Sequence, residues 1–68
     1  MSVLEKRFGL VALEKGFITK DQLHKALIIQ VEDNVEGKTH KIIGDILIDL
    51  GYISPEQANE IFLSLRIG

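Results

Sequence analysis

Apolar residues recur along this chain every three or four positions, which is the spacing of one face of an α-helix. Four such series are separated by short polar stretches, so we predict four helices, the first over residues 3–15 and the second fading near Glu32. The isoleucines of residues 42–48 do not alternate with polar residues, and this stretch is therefore predicted as helix and not as strand. The apolar positions of the four helices are Val3, Leu4, Phe8, Val11 and Ala12; Leu23, Ala26 and Leu27; Ile42, Ile43, Ile46, Leu47 and Leu50; and Ala58, Ile61, Phe62 and Leu65.

Capping residues predict where these helices begin and end. Three capping boxes, each a Ser or Thr followed three positions later by Glu or Gln, mark helix starts: Ser2 with Glu5, Thr19 with Gln22, and Ser54 with Gln57. Gly16 and Gly51 stand where a left-handed residue commonly ends a helix. The polar residues 33–40 contain Gly37 and are predicted as a loop.

The two halves of the chain repeat each other at an offset of 35 positions. The identical pairs are Gly9 and Gly44, Gly16 and Gly51, Ile18 and Ile53, and Gln22 and Gln57. Each unit is an αα-hairpin that cannot bury its apolar face alone. We therefore predict an all-α fold, two tandem αα-hairpins that form a small four-helix domain over residues 1–68. The first repeat covers about residues 7–30 and the second about 42–65.

Composition narrows the class of protein. The chain has 68 residues, 46% hydrophobic and 26% charged, a globular ratio in a length that fits one domain. It contains no cysteine, which excludes disulfides and thiol chemistry. The net charge of −2 argues against binding a nucleic-acid polymer. No apolar run reaches about 18–20 residues and no secretory pattern is evident, so we expect a cytoplasmic protein without membrane insertion.

The polar residues do not form a pattern typical of catalysis. His24 and His40 lie in different elements, with no carboxylate at metal-ligand spacing, so no metal site is predicted. Carboxylates four residues apart on one helix are interpreted as solvated faces; they are Asp45 with Asp49, and Glu56 with Glu60. We predict no catalytic residue, and we expect that the protein is not an enzyme.

The first repeat carries a family motif. It reads Arg7-Phe8-Gly9-x-x-Ala12-Leu13-x-x-Gly16-x-Ile18, followed by Leu23-x-x-Ala26-Leu27-x-x-Gln30. This pattern resembles the tandem motif of the MshEN family, the N-terminal domains of type II secretion and type IV pilus assembly ATPases and related bacterial modules. The second repeat keeps part of the motif, and Ile42 and Leu65 stand at the equivalents of Arg7 and Gln30. The resemblance implies a non-catalytic interaction or regulatory module.

Some members of that family bind cyclic di-GMP, so the resemblance implies this nucleotide as a candidate ligand, with no other cofactor. The candidate binding residues are Arg7, Phe8, Gly9, Gln30, Ile43 and Gly44. An arginine can stack on a guanine or donate two hydrogen bonds to a phosphate, and a glutamine can hydrogen-bond to a base edge. Glycines let a ligand approach the backbone, although close packing of helix on helix is the alternative explanation for Gly9 and Gly44.

Apolar residues outside the predicted core indicate a surface that binds another protein or a second copy of this chain. Ile28, Ile29 and Leu63 lie beyond the predicted core stripes and are predicted as a face for self-association or for docking of a partner protein. The alternative is that these side chains pack against the loop. The sequence therefore favours a protein-interaction or regulatory module, with a cyclic di-GMP sensor as the second hypothesis.

Overall fold

The computed structural model describes residues 3–37 and 41–67. These residues form four α-helices and no β-strand, which confirms the predicted all-α fold and the helical state of the isoleucine-rich stretch. The helices are α1 (Val3–Glu14), α2 (Lys20–Val35), α3 (Ile43–Asp49) and α4 (Pro55–Ile67).

Two of the three predicted capping boxes are present, at the starts of α2 and α4. The backbone N–H of Gln22 donates to Thr19 Oγ1 at 3.1 Å, and that of Thr19 donates to Gln22 Oε1 at 2.9 Å. Ser54 and Gln57 make the same reciprocal pair at 3.1 and 2.9 Å. The third predicted box includes Ser2, which lies outside the described residues. Each complete box satisfies two backbone donors and sets the first residue of its helix.

Glycines end α1 and α3 in the same way. Gly16 and Gly51 have φ values of +75° and +78°, which is the left-handed region. The residue after each glycine donates its N–H back to the carbonyl five positions earlier, Phe17 to Ala12 and Tyr52 to Leu47, both at 3.0 Å. These are Schellman turns, and they confirm the predicted helix ends.

The end of α2 differs from the prediction. The segment 33–40 was expected to be a loop, but α2 continues through Asp33 to Val35, and residues 38–40 lie outside the described residues. Polar composition alone does not stop a helix. The stop is Gly37, which has a φ of +73° and donates to the carbonyl of Asn34 at 3.2 Å.

The two repeats interlock. The helix α1 packs against α3 and α4, α2 packs against α3, and α3 also contacts α4. The 35-residue offset relates α1 to α3 and α2 to α4, so the α1–α4 and α2–α3 contacts are equivalent. The packing is therefore pseudo-twofold, with the first helix of each repeat held against the second helix of the other.

Both repeats supply the core. The buried apolar residues are Phe8, Ala12, Ile18, Ala26, Ile43, Ile46, Leu47, Ile53, Ala58 and Ile61. None of the described polar or charged side chains is fully buried. The first turn of α1 lies outside this core, because Val3 and Leu4 are exposed although they share the helical spacing of Phe8. Among the described helices, none is both long enough and apolar enough to span a membrane.

Gly51→Ala is expected to lower the free energy of unfolding by about 1 kcal/mol, because a Cβ atom is disfavoured in the left-handed region. No described atom lies within 4 Å of the added Cβ, so the backbone conformation alone would cause the loss. For a domain of this size the melting temperature should fall by about 4–8 °C. Gly51→Asn is the control and should lose less, since Asn tolerates this conformation; an equal loss in both variants would contradict the assignment.

Candidate functional site

A carboxylate connects three helices at the end of the domain where α1 and α3 begin. Glu5 Oε1 accepts hydrogen bonds from Gln30 Nε2 at 2.7 Å and from the backbone N–H of Ile43 at 3.1 Å. Gln30 Nε2 also donates to the carbonyl of Lys41 at 3.1 Å. The first turn of α1, the later turns of α2 and the start of α3 are therefore joined by one polar cluster.

This cluster supplies a cap that the local sequence lacks. Ile42 is the N-cap residue of α3 and has no side-chain oxygen to accept a hydrogen bond from the helix. Glu5 fills that role from another helix by accepting from the N–H of Ile43. The sequence pattern predicted Glu5 as a local cap within α1, and nothing in its spacing indicates this long-range contact.

Both candidate glycines lie where helices approach closely. A Cβ atom on Gly9 would stand 3.1 Å from Leu23 Cδ1, which is on α2. A Cβ atom on Gly44 would stand 3.1 Å from Phe8 Cζ, which is on α1. Close packing of one helix on another therefore accounts for both glycines, in agreement with the alternative explanation offered for them.

An apolar cleft of about 120 Å³ opens where α1, α3 and α4 meet, and we refer to it as the α1/α3/α4 cleft. It is lined by Leu4, Glu5, Phe8, Ile42, Ile43, Gly44 and Phe62. The rings of Phe8 and Phe62 pack with centroids 5.0 Å apart and planes tilted by 55°. Phe62 was predicted on the core face of its helix, but it is 40% exposed and forms part of the cleft wall.

A second cleft, of about 80 Å³, lies on the other side of Glu5 and Ile43. It is lined by Glu5, Lys6, Gly9, Leu10, Leu23, Leu27 and Ile43. Together the two clefts contain four of the six candidate ligand residues, namely Phe8, Gly9, Ile43 and Gly44. Gln30 joins them through its hydrogen bond to Glu5, whereas Arg7 is exposed and lines neither cleft.

The predicted interaction face divides between two helices. Ile28 and Leu63 are exposed as predicted, but Ile29 is half-buried and packs against the core. Ile28 is on α2 and Leu63 is on α4; both helices contact α3, but α4 packs mainly on α1. The prediction missed the exposed apolar residues Val31 and Val35, although their spacing from Ile28 was a usable signal.

One exposed ion pair lies along α3. Lys41 Nζ is 2.5 Å from Asp49 Oδ2, and both side chains are about half exposed. The hydrogen bond to Asp49, together with its charge, raises the pKa of Lys41 above its ordinary value. A raised pKa means that this pair stabilises the fold at neutral pH and ceases to do so as the pH rises through that pKa. Because solvent screens the pair, its contribution is small.

The described residues 3–37 and 41–67 contain no group of three His, Cys, Asp or Glu side chains placed to hold a metal ion. No protein-family model, no curated protein and no solved structure matches this chain significantly.

Glu5→Ala is expected to destabilise the fold by about 1–3 kcal/mol, because the Gln30 amide and the Ile43 N–H lose their common acceptor. Glu5→Gln keeps an acceptor oxygen and should cost clearly less. Glu14→Ala, at the exposed end of the same helix, is the control and should cost little. Urea unfolding monitored by circular dichroism measures all three variants, and a Glu5→Ala value equal to that of Glu14→Ala would exclude the capping role.

Proposed function

We propose that this chain is a non-catalytic protein-interaction module, and that the α1/α3/α4 cleft receives an aliphatic or aromatic side chain of a protein partner. The observation that carries the proposal is the apolar lining of this cleft together with the exposure of Leu4, Ile42 and Phe62 around it. Large apolar side chains grouped on the surface of a small domain commonly mark association surfaces.

The energetics of the cleft favour an apolar occupant. Each apolar side chain that a partner covers contributes roughly 25 cal/mol per Å² removed from water. The rings of Phe8 and Phe62 already pack against each other, so a partner would find one wall of the cleft preformed. A preformed wall lowers the entropy lost on binding.

The polar side chains of Glu5 and Gln30, near the cleft, already make hydrogen bonds within the protein. Glu5 Oε1 is an acceptor for both Gln30 and Ile43, and Gln30 is also bonded to Lys41. Within the described residues, the cleft lining contains no nucleophile and no acid–base pair. This arrangement supports binding of an apolar group in preference to turnover of a polar substrate.

Cyclic di-GMP sensing is the alternative that the family resemblance implies. Four of its six candidate residues line the two clefts, which is the observation in its favour. The carboxylate of Glu5 lies between the clefts and would repel a phosphate. The interaction module is therefore the better supported of the two proposals.

The cleft proposal predicts weak, local binding of a small apolar probe. Titration of the isotope-labelled chain with N-acetyl-leucine amide should shift the backbone amide resonance of Gly44, which lines this cleft and not the second one. Leu4→Ser should weaken this shift because it removes part of the lining, whereas Val3→Ser, at an exposed residue of the same helix that lines neither cleft, should leave it unchanged. Shifts that are absent at millimolar probe, or equally weakened by both variants, would contradict the proposal.

The sensor alternative is tested by calorimetric titration with cyclic di-GMP. If the interaction module is correct, no heat of binding is expected at high micromolar nucleotide. Micromolar binding that is lost in Arg7→Ala and retained in Arg66→Ala, an exposed arginine outside the first repeat, would instead favour the sensor.

A further inference from the structure

The outer face of α2 carries a stripe of exposed apolar residues. Ile28, Val31 and Val35 are 57%, 59% and 81% exposed. Their spacing of three and four positions places them on one side of the helix, like the a and d positions of a coiled coil. We refer to these three residues as the α2 stripe.

The α2 stripe points away from the rest of the domain. On another side of the same helix, Ala26 is fully buried, and Leu23 and Leu27 pack against the core. Along the stripe lies a shallow groove of about 240 Å³, lined by Leu27, Ile28, Val31 and Glu32. In a coiled coil, side chains of one helix form such a hole for a side chain of the facing helix.

Charged residues flank the stripe in a pattern that a second copy would complement. Lys25 and Glu32 are both exposed and lie along the same edge of the stripe, seven residues apart. If Ile28 is assigned to heptad position a and Val31 to position d, then Lys25 and Glu32 both occupy e positions. Lys20, which is also exposed, is a g position at the opposite edge. Charges at e and g positions set the orientation in which two helices pair.

We propose that two copies of this chain associate through the α2 stripe, with their α2 helices antiparallel. Ile28 of each copy then packs beside Val31 of the other, and Lys25 of each copy faces Glu32 of the other. The twofold symmetry forms this ion pair twice. A parallel pair would instead bring Lys20 of each copy against Lys25 of the other, which is repulsive, so the charges favour the antiparallel arrangement.

The interface is small, since the stripe covers about two turns of each helix, and contacts of this size lie at the weak end of protein interfaces. We therefore expect a reversible dimer that forms between micromolar and millimolar concentration. The surface lies on α2, whereas the proposed partner cleft is formed by α1, α3 and α4. The two proposals are independent, and each can fail without the other.

Sedimentation equilibrium of the full 68-residue chain over this concentration range tests the dimer. The wild-type chain should dimerise, and Ile28→Asp should remove the association. Leu63→Asp is the matched control, because Leu63 is exposed on α4 at the position that the 35-residue repeat relates to Ile28. A monomer at millimolar concentration, or a dimer that Leu63→Asp removes and Ile28→Asp does not, would overturn the proposal.

Charge reversal tests the antiparallel orientation. Lys25→Glu or Glu32→Lys alone should weaken dimerisation roughly tenfold, because each change makes two attractive contacts repulsive. The double variant Lys25→Glu with Glu32→Lys should restore it, with circular dichroism showing that every variant is folded. Lys20→Glu should leave the affinity unchanged. A stronger dimer in Lys20→Glu, or a double variant no better than the single ones, would refute the antiparallel pairing.

Discussion

The ring of Phe8 lies against the backbone of Gly44, where an added β-carbon would stand only 3.1 Å from Phe8 Cζ. This contact joins the two repeats, because Phe8 is on α1 and Gly44 is on α3. A β-carbon at position 44 would press on the Phe8 ring, and the adjacent core includes Ile43 and Leu47, which are among the most buried side chains of the domain. Neither hairpin can bury its apolar face alone, so the rest of the structure depends on this close approach.

The close approach also determines what the candidate site offers to a partner. It brings the starts of α1 and α3 together, and Glu5 then bonds to both Gln30 and the N–H of Ile43. These polar groups stabilise the junction of three helices and leave a mainly apolar surface beside it. The partner group that we propose is apolar for this reason, which connects the packing of the repeats to the proposed function.

The two repeats have the same order of helix, glycine turn and helix, but their exposed surfaces differ. The helix α2 continues to Val35 because its glycine stop is Gly37, and this last part of the helix completes the apolar stripe on its outer face. On α4, Phe62 stands at the repeat equivalent of Leu27 and forms part of the cleft wall. A pseudo-symmetric core thus carries two dissimilar apolar surfaces, the α1/α3/α4 cleft and the α2 stripe, for which we propose different occupants.

The sequence by itself determined the four helices, the caps at Thr19 and Ser54 and the glycine stops at Gly16 and Gly51, because these features depend on residues only a few positions apart. Through the repeated motif it also indicated six candidate ligand residues, of which Phe8, Gly9, Ile43 and Gly44 line the two clefts and Arg7 lines neither. Only the tertiary structure decided which apolar residues are covered. Leu4 and Val31 share the helical spacing of buried residues, yet they stay exposed since no helix lies over them. The sequence did not predict the hydrogen bond between Glu5 and Ile43 either, because the two residues are 38 positions apart and meet only after the helices pack.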